Sequence, residues 1–189
     1  MTHPIAIAIV EYALLAAALL GAVAFDLRSR RIPNRLVLAG IGLAVALHAA
    51  AEVTGSPALA GSSWWAPLAG FGTGLAVLMP LHLLHAMGAG DVKLMAMVGA
   101  FLGAPATLAA ALYTLAAGGL LSLVFMLGRG VAAQAMANLR LLLTDWMLRA
   151  VSGQGVRLAP LQVTAARLPY AVAIALGTVA SLLWPPAWF

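Results

Sequence analysis

The chain contains no cysteine, so disulfides and cysteine-based zinc sites are excluded. Acid is almost as scarce. Only Glu11, Asp26, Glu52, Asp91 and Asp145 carry carboxylates in 189 residues, and charged residues of both signs make up 8%. No Lys or Arg precedes Arg28. The positive n-region of a cleavable signal peptide is therefore missing, and the first apolar run is expected to remain as a span with its N-terminus outside. The segment from Val53 to Pro67 has no cation either. No internal repeat is visible.

What fills the chain instead is apolar residue: 64% of the total, with a mean hydropathy of +1.05. A soluble domain of this size has too little core to hide so much apolar surface. The composition predicts an all-α, polytopic membrane protein, and residues 1–189 are expected to form a single membrane-embedded domain. The net charge of +5 is not a nucleic-acid signal, because the cations lie between apolar segments.

A spanning helix needs about 20 apolar residues. Spans are predicted at Ile5–Phe25, Arg35–Ala51, Ala66–Ala86 (bent at Pro80), Ala104–Leu127 and Leu168–Trp184, with Val92–Gly103 as a shorter sixth segment. All ten cations fall at Arg28–Arg35, at Lys93 and at Arg129–Arg167. The positive-inside rule puts all three regions in the cytoplasm. Val92–Gly103 and its successor must then form a hairpin, and both termini lie outside. Whether the short arm crosses or only dips stays open. Residues 131–150 place Ala132, Met136, Leu139, Leu143, Trp146 and Met147 at helical spacing. This pattern predicts an amphipathic helix on the cytoplasmic membrane surface. Asp145 and Arg149 form an i,i+4 pair there, the mark of a solvated face. Trp184, Trp188 and Phe189 read as an interfacial anchor.

Carboxylates at membrane depth are costly and mark proton paths, ion sites or catalysis. Asp26 ends the first span and opens Asp26-Leu27-Arg28-Ser29-Arg30-Arg31-Ile32-Pro33-Asn34. Its plain reading is an interfacial acid neutralised by arginines, with Asn34 capping the second span. Asp91 sits in Gly88-Ala89-Gly90-Asp91-Val92-Lys93. Its plain reading is a helix N-terminal acid favoured by the macrodipole, behind a glycine turn. The topology independently puts both acids at cytoplasmic helix ends. Two carboxylates at one depth can share a proton, and one can then activate water while the other polarises a carbonyl.

These residues resemble the prepilin peptidases, polytopic aspartic proteases with a GxGD motif. The matching positions are Asp26 with Arg31-Ile32-Pro33-Asn34, then Gly88-Ala89-Gly90-Asp91-Val92-Lys93-Leu94, then Leu168-Pro169-Tyr170 before the last span. The resemblance implies that Asp26 and Asp91 are the catalytic aspartates. It gives Gly88, Gly90, Lys93, Pro33, Asn34, Pro169 and Tyr170 supporting places around them. It implies cleavage of basic leader peptides from type IV pilin precursors at the cytoplasmic membrane face, with no metal or organic cofactor. The small build resembles the branch serving Flp-type, tight-adherence pili. Larger members carry an additional cytoplasmic region, commonly with paired cysteines, and methylate the new N-terminus. This chain lacks both region and cysteines, so methyl transfer is not carried over to it. The archaeal preflagellin peptidases share the motifs.

Two other classes remain in play. A small proton-coupled transporter would use Asp91 as carrier at the bilayer centre, with the short helix as its midplane site. A non-catalytic scaffold would need neither acid. His82 and His85, three residues apart near the GxGD turn, could tune the acids or bind metal, but two histidines without a third ligand make a poor zinc signature and read as polar helix-end residues. Lys93 is expected to snorkel to the headgroups and to interact with Asp91. Pro169 suits a first helical turn, and Tyr170 is an interfacial anchor or a substrate-side group. Glu11 is expected near the outer interface. The arginines are expected to hold anionic lipid headgroups.

Overall fold

In a computed structural model of the chain, residues 6–84, 87–130 and 170–186 are described, together with 137, 140, 141 and 144. The described residues contain five helices and no strand. These are α1 (Ala6–Ser29), α2 (Asn34–Thr54), α3 (Ala66–Leu83), α4 (Ala89–Gly128) and α5 (Tyr170–Leu183). The first four are long and apolar enough to cross a membrane, and α5 is shorter at 14 residues. The predicted surface helix at 131–150, with Asp145 and Arg149, lies almost wholly outside the described residues. So do His85, Pro169, Trp188 and Phe189.

The chain divides into two compact units, Met1–Gly118 with Pro169–Phe189, and Gly119–Leu168. In the second unit the Arg129 guanidinium stands 4.2 Å over the Phe125 ring. The remaining description concerns the first.

Local chemistry explains the element ends. Gly55 follows α2 with a positive φ of 65°, and the amide of Ser56 reaches back to the Ala51 carbonyl at 2.9 Å. This is the left-handed helix stop that glycine makes at least cost. Pro67 stands in the first turn of α3, where a missing N–H is harmless. Pro80 sits near the other end of α3, which runs on to Leu83. The predicted break between two arms falls within α4, where Gly103 adopts φ 75°, ψ 171°. The arms are thus residues 89–102 and 104–128. A side chain at Gly103 would be strained by that φ and would collide with the Ala60 carbonyl.

Lipid tails are as apolar as leucine, so membrane helices associate through close packing rather than hydrophobic transfer. The first arm of α4 meets α3 backbone to backbone. A Cβ on Gly70 would strike the Gly99 carbonyl, and one on Gly99 would strike the Gly70 carbonyl. Leu94, Met95, Met97, Val98 and Phe101 of that arm are fully buried.

Glu11 packs against the loop between α2 and α3. Its carboxylate is 1% exposed and accepts the Leu59 amide at 2.8 Å. His48, also buried, lies within its electrostatic reach and donates from Nε2 to the Ser63 carbonyl at 3.0 Å. Two side chains therefore hold down the loop between α2 and α3. Glu11→Leu would leave the Leu59 N–H unpaired, at a cost of about 1–3 kcal/mol. Limited proteolysis should then cut residues 55–65 faster in Glu11→Leu than in Glu11→Gln, which keeps an acceptor. Equal cutting of both variants and wild type would remove this role.

Candidate active site

Asp26 lies in the last turn of α1, yet it is only 8% exposed. Its Oδ2 accepts the Ala171 amide at 3.1 Å, in a buried hydrogen bond. Ala171 is the second residue of α5. An acid ending one helix thus satisfies an orphan donor at the start of another. The α5 macrodipole also presents its positive end to that carboxylate, which offsets the unfavourable C-terminus of α1.

Asp91 is the third residue of α4, and its Oδ2 accepts the Gly88 amide at 3.2 Å. The Asp91 amide in turn reaches the Gly88 carbonyl at 3.1 Å. With Gly88 at the N-cap and Asp91 at the third helical position, this is the acid half of a capping box. The helix-start reading of Asp91 therefore describes its geometry, and that geometry also fixes where the carboxylate points.

Asp91 is half-buried and interacts electrostatically with Asp26, and the Tyr170 phenol interacts electrostatically with Asp91. Tyr170 opens α5, and a Cβ on Gly118 would clash with its hydroxyl end. Gly118 is thus the slot that admits the tyrosine ring. Helices α1, α4 and α5 converge with one polar side chain each.

Several expected details differ. Asn34 does not cap α2: the N-cap is Pro33, without a side-chain cap bond, and its carbonyl takes the Leu36 and Val37 amides. The Asn34 Oδ1 instead accepts Lys93 Nζ at 3.1 Å. A single-atom acceptor at the helix start is better used by a charged donor, whose hydrogen bond is the stronger. Lys93 therefore ties α4 to α2, and Asn34 rather than Asp91 receives its hydrogen bond. The GxGD glycines turn without positive φ, since the described glycines that adopt it are 55, 61, 103 and 130. Gly88 is tight, because a Cβ there would lie 3.1 Å from Asp91 Oδ2. At Gly90 a Cβ would meet Ile32 at an ordinary 3.5 Å, so the α1–α2 connection does close over the motif. That connection contains a non-glycine residue with positive φ, Arg30 at 52°. His82 faces the same turn, donating from Nδ1 to the Met87 carbonyl at 3.1 Å. Among the described residues no three His, Cys, Asp or Glu side chains form a metal-binding group.

The fold, with Asp26 and Asp91 at helix ends within electrostatic reach of each other, defines a helical membrane protein with its polar chemistry at helix ends. A model of the type IV leader peptidase family matches residues 13–127, which include both acids and the whole GxGD motif. The chain belongs to that family, and is a membrane protease of prepilin leader peptides in pilus biogenesis. Searches of characterised protein sequences and of solved structures return no significant match. Ala171 and Gly118 had no signal in the sequence, because the contacts that reveal them join residues far apart in the chain.

Proposed function

We propose that the protein is an aspartic endopeptidase in which Asp26 and Asp91 form the catalytic dyad. The observation that carries this reading is that Asp26 lies within electrostatic reach of Asp91, each carboxylate already held by one backbone amide. A pair sharing one proton suits hydrolysis. The ionised member takes a proton from water as the water oxygen bonds the scissile carbonyl carbon. The protonated member hydrogen-bonds the carbonyl oxygen and stabilises the charge that develops there. Collapse of the tetrahedral intermediate breaks the C–N bond, and the proton passes to the leaving amine. The half-buried setting strengthens these interactions relative to water.

The substrate is a prepilin of the Flp type, cut at the cytoplasmic membrane face. Support comes from the small build and from the arginines around Asp26. Both arms of α4, with α5, complete six spans, residues 1–189 act as one peptidase domain, and no metal or organic cofactor takes part. A transporter reading places Asp91 at the bilayer centre. It is disfavoured by the pairing of two acids at helix ends and by family membership. The protein in vesicles should convert a precursor with a short basic leader into its mature form; an uncut precursor would overturn the assignment.

Arg28, Arg30, Arg31 and Arg35 are all exposed. Prepilin leaders are basic, so like charges argue for anionic lipid headgroups as the partner of this patch, at about 1 kcal/mol per residue near the surface. The absence of cysteine makes single-cysteine labelling clean. Cysteines at Ser29 and Ser62 should label from opposite membrane sides. Arg28→Gln with Arg30→Gln should blur that sidedness or weaken binding to anionic vesicles, with turnover changed less than threefold. A large turnover loss with sidedness and lipid binding intact would count against the lipid role.

A further inference from the structure

We propose that His82 is a positioning residue for Asp91, acting through the single peptide group between Met87 and Gly88. The two hydrogen bonds at the GxGD turn share that group. Its carbonyl, from Met87, accepts His82 Nδ1 at 3.1 Å. Its N–H, from Gly88, donates to Asp91 Oδ2 at 3.2 Å. A peptide group is planar and its C=O and N–H point in opposite directions. One rigid unit therefore carries the imidazole donor at one end and the carboxylate at the other.

Three consequences follow from the geometry. A carbonyl oxygen only accepts, so Nδ1 of His82 carries a proton, which fixes the tautomer when the ring is neutral. Donation into the carbonyl polarises the peptide and makes its N–H a better donor, as hydrogen bonds in series reinforce one another. The orientation of the plane is also fixed from α3, an element separate from the helix that Asp91 begins. Without the His82 bond, the peptide could rotate away and the carboxylate would lose its one described backbone anchor. Met87 is 8% exposed and anchors its end of the turn in the core, while Gly88 is exposed. The Cβ contact at Gly88 shows how little space separates that peptide from Asp91.

The inference rests on Asp91 being catalytic, and its test keeps the two ideas apart. His82→Asn places an amide nitrogen about where Nδ1 stands, the same number of bonds from Cβ. His82→Phe keeps a ring without a donor. His82→Gln moves the donor one bond outward and serves if the Phe variant folds poorly. The full-length chain in vesicles is assayed on a prepilin, and hydrogen exchange is followed at the Gly88 amide. His82→Phe and His82→Gln should lower kcat about tenfold with KM little changed, as loss of one positioning hydrogen bond implies. Both should speed exchange at Gly88. His82→Asn should stay within about threefold of wild type in both readouts, the rescue expected for a retained donor. Unchanged exchange at Gly88 in His82→Phe, or equal impairment of His82→Asn, would overturn the proposal. If Asp91→Asn cleaved normally, the catalytic assignment would fail, and Gly88 exchange would still decide whether His82 holds the turn.

Discussion

Asp26→Asn and Asp91→Asn should each cut prepilin cleavage by on the order of 10³-fold or more, as loss of one member of a catalytic unit does. Asparagine keeps the shape of the carboxylate but cannot cycle a proton. It also keeps a carbonyl oxygen. Asn at 26 can still accept the Ala171 amide, and Asn at 91 can still accept the Gly88 amide. Membrane insertion and thermal stability should therefore survive both changes. Asp26→Ala should differ, because it removes the acceptor that seats the start of α5. That variant should lose stability together with activity. Groups that act as one unit are non-additive, so the double Asn variant should be no slower than either single. The comparator is Asp145→Asn, an acid that the sequence pairs with Arg149 on a polar face. Co-expression with a pilin precursor, read by the shift from precursor to mature form, checks the set. Substantial cleavage by either single variant would end the dyad assignment.

The expectation that Asp26 and Asp91 share one depth comes from the sequence alone, and the reason is physical. Apolar runs of spanning length mark helices, and clustered cations set their ends to one side. Two rare acids at such ends are then brought to one depth by arithmetic along the chain. The helix break near residue 103 was legible for the same reason, since the run from Val92 is too short to stand beside its neighbours. What stayed hidden depends on lateral packing, on which periodicity is silent. Nothing local in Asn34 says that it will meet Lys93 rather than cap its own helix, because 59 residues separate them. The docking of Ala171 on Asp26 spans 145 residues. The link from Glu11 to the Leu59 amide was also hidden, because a loop amide has no side-chain signature. The glycines of the GxGD motif turn without a left-handed residue, and the demand at Gly88 is space beside a carboxylate.

Glycine placement also supplies the largest expected effect on the fold. Gly70 and Gly72 are two residues apart in α3, have the same helix propensity, and point in different directions. Gly70 is buried against Gly99, where a Cβ would strike the Gly99 carbonyl and the Gly103 Cα. At Gly72 a Cβ meets nothing within 4 Å. Gly70→Val must therefore force α3 away from the first arm of α4. Neither side of that contact can yield by changing rotamer, because both are backbone. Overpacking a well-packed site costs about 1–3 kcal/mol when side chains can shift. Here the cost should exceed that range, since a whole helix has to move. Asp91 begins the displaced arm, so the variant should lose cleavage as well as thermal stability. Gly72→Val carries the same propensity change on a face with free space, and should stay within about 1 kcal/mol of wild type with cleavage retained. Melting of the detergent-solubilised variants, alongside the precursor assay, separates the two. Equal stability of Gly70→Val and Gly72→Val would mean that α3 and α4 do not meet backbone to backbone. The scaffold that aims Asp91 would then have to be sought elsewhere.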